Sequence, residues 1–291
     1  MDVVHPIDVA DWEDSVSPRL QRECVDALER GWVLFFPQLA FALLEDERVL
    51  LTPDVSDGRA KNVSLKPGGE LRGTSCIGER AALLKTMIER YAQTVARFLS
   101  ILIPPYAAHL QRASTSYRPV EIAGRPASAI YDDTRLHVDA FPSRPMRERR
   151  ILRVFSNVNP AGAPRVWHVG EDFESMARKF LPNAREGSRV WAHMLGAVGI
   201  TKGVRSRYDE LMLALHDGSK RDEAYQRDSA QSEFAFPSGS TWICYTDQVM
   251  HAALAGQYVL EQTFHIEVGA MVTPERAPLR VLERLRGYAL V

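Results

Sequence analysis

The chain has 291 residues, 45% of them hydrophobic and 25% charged, which is globular composition with enough apolar material for a sizeable core and excludes wholesale disorder. Thirty-six basic against 37 acidic residues give a net charge of −1, so no bulk field draws the protein to nucleic acid, and none is expected as a partner. Three widely spaced cysteines (Cys24, Cys76, Cys244) exclude both a disulfide scaffold and a four-cysteine zinc site.

The opening Met1-Asp2-Val3-Val4-His5-Pro6 has no basic region followed by an apolar one, and the most apolar segment, 98–104, is far short of the roughly 20 residues of a span. A cytoplasmic protein with at most peripheral membrane contact is expected. Ser17-Pro18 predicts a capped helix start, with Leu20, Cys24, Ala27 and Leu28 as its stripe and Gly31 as its stop. A short strand follows over 32–36, then a helix over 41–51 and a long polar loop over 52–78. The clearest helix covers 79–103, with Leu83, Met87, Tyr91, Val95, Phe98 and Leu102 on one face.

After Pro104-Pro105 the texture changes to short strands, predicted at 151–158, 165–169, 189–192, 241–245 and 261–268. A helical insertion interrupts them over about 206–228: a helix from Ser206 to His216, with Gly218 as its stop, then a charged tract to Asp228; a last helix begins near Thr273-Pro274. This order predicts an α+β protein: a double-stranded β-helix (jelly-roll, cupin-like) over 106–272, buttressed by N-terminal helices over 1–105 and closed by a C-terminal helix over 273–291. No linker interrupts it, so 1–291 reads as a single domain.

The chemistry centres on Arg135-Leu136-His137-Val138-Asp139-Ala140-Phe141-Pro142. On an extended strand His137 and Asp139 point to the same side and can reach one metal, although a lone His-x-Asp is common by chance. His251 adds weight: it follows the apolar run 242–245 and a polar turn, and a buried histidine needs a polar partner that a metal supplies. Two histidines and a carboxylate form the facial triad of non-haem Fe(II) oxygenases, which leaves positions open for a cosubstrate and O2. His216, beside Asp217 and Gly218, competes with His251 for the third position, though a capping role suits it better.

The usual cosubstrate, 2-oxoglutarate, needs a cation for its far carboxylate. The stretch after His251 holds Gln257 and Gln262 but no Arg or Lys before Arg276, whereas Arg153 sits among apolar residues on the strand after His-x-Asp. Arg153 is therefore the expected clamp, an arginine on a solvated face being the equal alternative, with Arg150 and Arg118 next in line. Gln262 and Trp167 complete the expected cosubstrate pocket, although core packing also suits Trp167.

Taken together, the segment 135–145, the strand 153–160, the run 241–264 and the insertion residues 205–209 and 215–217 resemble the Kdo 3-hydroxylases. The resemblance covers most of the chain from about residue 75 onward. It implies an Fe(II)/2-oxoglutarate dioxygenase that hydroxylates C3 of the Kdo (3-deoxy-D-manno-octulosonic acid) sugar of Kdo-lipid A, using O2 and releasing succinate and CO2. By resemblance His137, Asp139 and His251 hold iron and Arg153 holds 2-oxoglutarate. The implied partner is a Kdo-containing lipid A precursor, met on the cytoplasmic face of the inner membrane. Arg118, Arg144 and Arg147 are candidate contacts to this anionic substrate, the last two in a basic run with Arg149 and Arg150. Two other readings stand beside it: a same-fold oxygenase acting on a protein side chain or small molecule, and a non-catalytic cupin-like carbohydrate-binding module.

Overall fold

A computed structural model describes residues 3–125, 127–184 and 204–291. The predicted strand at 189–192 lies outside the described residues. Eight strands form the large sheet: β1 (Val4–Pro6), β2 (Val33–Phe36), β3 (Val63–Leu65), β4 (Leu71–Arg72), β5 (Gln111–Arg118), β6 (Arg149–Asn157), β9 (Thr241–Tyr245) and β11 (Val259–Glu267). Their spatial order is β1-β2-β9-β6-β11-β5-β3-β4. A second sheet orders β10 (His251–Ala255), β7 (Arg165–Gly170) and β8 (Gln231–Phe236) as β10-β7-β8. Past β5 the chain runs from β6 of the large sheet to β7 and β8 of the small one and then alternates through β9, β10 and β11. This is the double-stranded β-helix expected, with antiparallel β9-β6-β11-β5 as its larger wall.

Between the walls lies an aromatic core. Trp242 of β9 stacks on Phe236 of β8 at 4.2 Å and on Phe155 of β6 at 5.2 Å, so the large sheet is bolted to the small one by flat apolar surfaces. The outer face of the large sheet is covered by α1 (Pro18–Glu29) and α2 (Gly78–Leu102). Ser17 caps α1 by accepting the Leu20 N–H, Pro18 occupies its first turn, and Gly31 leaves it at φ +80°, as the sequence predicts. On α2 the predicted stripe is buried except for Leu83, and the Tyr91 hydroxyl donates to the Val154 carbonyl of β6 at 3.1 Å.

A third cluster packs α3 (Phe173–Phe180), α4 (Arg207–Arg221), α5 (Glu223–Asp228) and α6 (Pro278–Arg286) beside the mouth of the barrel. Here α4 runs past Gly218 to Arg221, because the Ser206–Asp209 capping box fixes its start and nothing in the interior forces a stop. His216 is therefore mid-helix and caps nothing. The expected helix over 41–51 is only a 3-10 turn, Asp46–Leu50, and the expected loop over 52–78 contributes the edge strands β3 and β4. Among the described residues no helix is long and apolar enough to cross a membrane.

Candidate metal centre and its two chambers

His137 and His251 form a single antiparallel rung: His137 N–H donates to the His251 carbonyl at 3.0 Å and His251 N–H to the His137 carbonyl at 2.9 Å. The rung sets the two imidazoles side by side, with ring centres 4.6 Å apart. Asp139, two residues on and held by its own N–H to the Thr246 carbonyl at 2.7 Å, presents its carboxylate to the same side. One ligand atom from each of the three residues falls within 4.8 Å of the others.

The protonation states suit a metal. Each Nδ1 faces a carbonyl, Arg135 at 2.7 Å for His137 and Val249 at 2.9 Å for His251, and a carbonyl can only accept. Nδ1 therefore carries the proton and each Nε2 is left as a lone-pair donor. Burial, then the neighbouring His251 and Lys220, hold His137 well below the ordinary imidazole value; burial lowers His251 as well. Burial opposes the charge on Asp139, but Arg153 and the two histidines outweigh it and hold the carboxyl below its usual range. Arg153 Nη2 lies 3.0 Å from Asp139 Oδ2 without hydrogen-bond alignment, which leaves that buried oxygen with no hydrogen-bond partner. Two neutral imidazoles and one carboxylate with spare valence fit a divalent iron and leave open coordination positions.

Two cavities meet at the triad. The inner one is small, about 50 Å³, and is lined by Arg165, Trp167, Phe155, Arg153 and Ala253 together with both histidines. The outer one is an open cleft of about 700 Å³ between the barrel mouth and α4, lined among others by Lys61, Arg118, Phe141, Arg205, His216 and Lys220.

The expected site residues fall out as follows. His216 stays outside the triad: its ring stands edge-on to His137 at 5.4 Å and its Nδ1 meets Asp217 Oδ1 at 2.9 Å. Arg153 is close to the triad but occupied, with Asp139 on one side and Glu261 Oε1 at 3.2 Å on the other. Arg118 reaches both cavities and is held by Glu261, its Nε at 3.0 Å. Trp167 packs into the aromatic core and also lines the inner cavity, stacked at 5.1 Å against His251 with its indole N–H unbonded.

Gln262 must be corrected. Strand alternation turns it away from Glu261 and out of the inner cavity, where its amide is spent on Thr115 at 2.5 Å and on the Thr263 carbonyl at 2.6 Å. Arg150 must be corrected as well: it is fully buried, bonded to Asp247 Oδ2 at 2.7 Å and Gln248 Oε1 at 2.7 Å, under the Tyr245 ring. Arg144 and Arg147 are exposed and neither lines the cleft.

Arg165 is the residue that sequence reasoning missed. Only 3% exposed, its guanidinium donates to the Gly256 carbonyl at 2.6 Å, and among the described residues no carboxylate pairs with it. Burial, reinforced by Arg118, brings it down to about 9. Gly256 at φ +107° admits this approach, since a Cβ there would sit 2.8 Å from the Pro164 carbonyl oxygen. The available signal was an arginine opening the apolar strand that carries Trp167.

A His-x-Asp pair and a distal histidine on a double-stranded β-helix define the class: a mononuclear non-haem iron(II) dioxygenase. The family model for 3-deoxy-D-manno-oct-2-ulosonic acid (Kdo) hydroxylase matches residues 11–289, and the chain belongs to that family. Among solved structures, the Kdo hydroxylase KdoO in complex with alphaketoglutarate and Fe(III) is 46% identical, with a TM-score of 0.95 over 99% of this chain and 97% of that one. KdoO in complex with cobalt(II) matches at 47% identity and TM-score 0.96, with the same coverage of 99% and 97%. KdoO with succinate and Fe(III) gives 47% and 0.95, again covering 99% and 97%. Comparison with curated proteins found no match.

Proposed function

We propose that this chain acts as one Fe(II)- and 2-oxoglutarate-dependent oxygenase domain that hydroxylates C3 of Kdo in a Kdo-lipid A precursor. One observation carries the reading: the buried triad lines both a small chamber containing the unpaired Arg165 and a wide cleft, room for each of two reactants. His137, Asp139 and His251 hold the iron. Bound there, the metal supplies O2 activation, coupled to decarboxylation of 2-oxoglutarate to succinate and CO2. Relatives that hold alphaketoglutarate and succinate support this choice of cosubstrate.

The inner chamber suits the cosubstrate, and Arg165 suits its far carboxylate better than Arg153 does. A buried guanidinium without a counter-ion is stabilised by an incoming carboxylate, whereas Arg153 already has two. Arg153 then orients Asp139. Trp167 and Phe155 give the chamber apolar walls that exclude water from the reacting centre. The sugar enters through the cleft, where Lys61, Arg118 and Arg205 are paired with carboxylates and Lys220 is left without one among the described residues, a charge that favours an anionic sugar acid over a neutral peptide.

The test is turnover. Succinate release that requires both Fe(II) and a Kdo-bearing lipid, with one oxygen atom added to the sugar by mass spectrometry, is the expected result. Release with peptides but no sugar acid would favour the same-fold rival. Binding of the sugar without succinate would favour a carbohydrate-binding module.

A further inference from the structure

Among the described residues the cleft holds one cation with no ion-paired or hydrogen-bonded partner. Lys220, on the last turn of α4, is only 1% exposed yet lines the outer cleft. Among the described residues no ion pair or hydrogen bond reaches its ammonium. Every other cation of that cleft is engaged. Lys61 pairs with Asp133 at 2.8 Å, Arg118 with Glu261 at 3.0 Å, Arg153 with Asp139 at 3.0 Å, and Arg205 with Glu210 at 3.2 Å. A buried, unpaired ammonium is costly, and the cost is recovered only when an anion arrives.

Its position relative to the iron ligands is fixed by neighbours. His216, one helical turn earlier on the same face, stands edge-on to His137 at 5.4 Å, so the ammonium and the triad look into one space. The backbone there is tied down: the Lys220 carbonyl accepts from Arg135 Nε at 2.5 Å, two residues before His137. Burial, outweighing the attraction of Asp133, keeps the ammonium below the usual lysine value, in keeping with a site that awaits its counter-ion.

The substrate class supplies one. In a 3-deoxy-2-ulosonic acid the carboxyl carbon C1 and the target C3 are both bonded to C2, so a carbon held over the iron brings its carboxylate along within the same space. We infer that Lys220 is the substrate-positioning residue of this enzyme, binding the C1 carboxylate of the sugar and so presenting C3 to the iron ligated by His137, Asp139 and His251. This rests on the hydroxylase reading above. Lys220 touches the substrate away from the reacting C–H, so its loss is felt in affinity and in coupling before it is felt in chemistry.

The experiment compares Kdo-lipid with its C1 methyl ester, in wild type and in Lys220→Met, which keeps the apolar stem of the side chain. Wild type is expected to prefer the acid over the ester by about 30-fold in kcat/KM, the worth of one charged hydrogen bond. Lys220→Met is expected to lose that preference, with a raised KM for the acid and succinate formed in excess of hydroxylated sugar. Lys220→Arg should restore part of the preference. Should Lys220→Met fold poorly, the wild-type and Lys220→Arg proteins carry the comparison, and absence of an acid preference in both overturns the inference. A Lys220→Met enzyme that still prefers the acid overturns it too. Sensitivity of Lys220 to removal of lipid A phosphates, and not to esterification, would assign the ammonium to a phosphate and overturn the carboxylate assignment. A wild type inert to both lipids overturns the hydroxylase reading and this inference with it.

Discussion

Asp139 illustrates how single residues here serve two masters. Its carboxylate is one third of the iron site and also the counter-ion of Arg153, so the arginine keeps the acid charged while the spare oxygen valence stays available to the metal. Asp139→Ala is expected to abolish iron binding and turnover while leaving the thermal transition recognisably cooperative, because an open three-ligand site seldom holds a domain together. Calorimetric titration with Fe(II) or Co(II) checks this. The same titration separates the histidines: His251→Ala loses the metal, and His216→Ala retains it, since His216 is turned to Asp217. For the cosubstrate, Arg165→Met should raise the apparent 2-oxoglutarate requirement by about 30-fold, the loss of one charge-assisted contact. Arg153→Leu should act differently. It strips a partner from two buried carboxylates, so its first effect is a lower melting temperature and poorer metal occupancy. A steep rise in 2-oxoglutarate requirement with Arg153→Leu and none with Arg165→Met would reverse the assignment.

At the scale of elements, β6 and β11 bury charged or titratable side chains that depend on their partners. Arg150 on β6 is buried against Asp247 in the turn before β10, and breaking that pair by Asp247→Ala should cost about 3–5 kcal/mol in denaturant unfolding, as removal of one partner of a buried pair does. On β11, burial and then Arg149 push His265 down to about 4. An unfolded chain would titrate the same ring near 6.5, so the folded protein holds the neutral form, with its full contribution to stability above that value. That contribution, on the order of 2–3 kcal/mol, is lost as pH falls from about 6.5 towards 4. His265→Phe should flatten this acid limb, measured as the midpoint of urea unfolding against pH.

Elements of this protein were legible where apolar periodicity was strong. The α2 stripe and β9, at Thr241–Tyr245, read directly from pattern because both bury apolar faces. Strand β5 did not: its Gln-Arg-Ala-Ser-Thr-Ser-Tyr-Arg run carries polar residues whose partners, such as Gln262 for Thr115 and Glu261 for Arg118, arrive from β11 more than 100 positions later. Strand β8 was missed for another reason: it is an edge whose residues before Phe236 stay largely exposed, so its apolar content is confined to its end. The triad was legible because His-x-Asp sets two ligands on one side of an extended segment and His251 stands out as a histidine in an apolar setting. Arg165 and Lys220 were not, because what marks them is an absence of partners, and that exists only in three dimensions.

For the whole molecule, the proposed function requires a nearly neutral protein of net charge −1, with no membrane-crossing helix among its described residues, to meet a lipid-borne sugar. The basic run after the triad offers a local answer. Arg144 and Arg147 are exposed, and their segment is braced from behind, with Asp209 accepting the backbone N–H groups of Met146 and Arg147 at 2.6 and 3.0 Å. Arg147 itself is held at φ +54°, an uncommon backbone for a bulky side chain that this bracing imposes. Rigid backbone with exposed guanidinium groups, that of Arg147 donating to the Val204 carbonyl at 3.3 Å, suits an anionic surface, where each arginine contributes about 1 kcal/mol within a Debye length of roughly 8 Å. We therefore expect partial sedimentation with vesicles containing anionic lipid at low salt, and release at moderate salt. The double variant Arg144→Ser, Arg147→Ser should lose that binding, and with it activity on vesicle-embedded Kdo-lipid. Neither residue lines the cleft, so activity on the same lipid dispersed in neutral detergent should stand. Equal losses in both formats would place the arginines in substrate recognition, and no loss in either would remove them from docking.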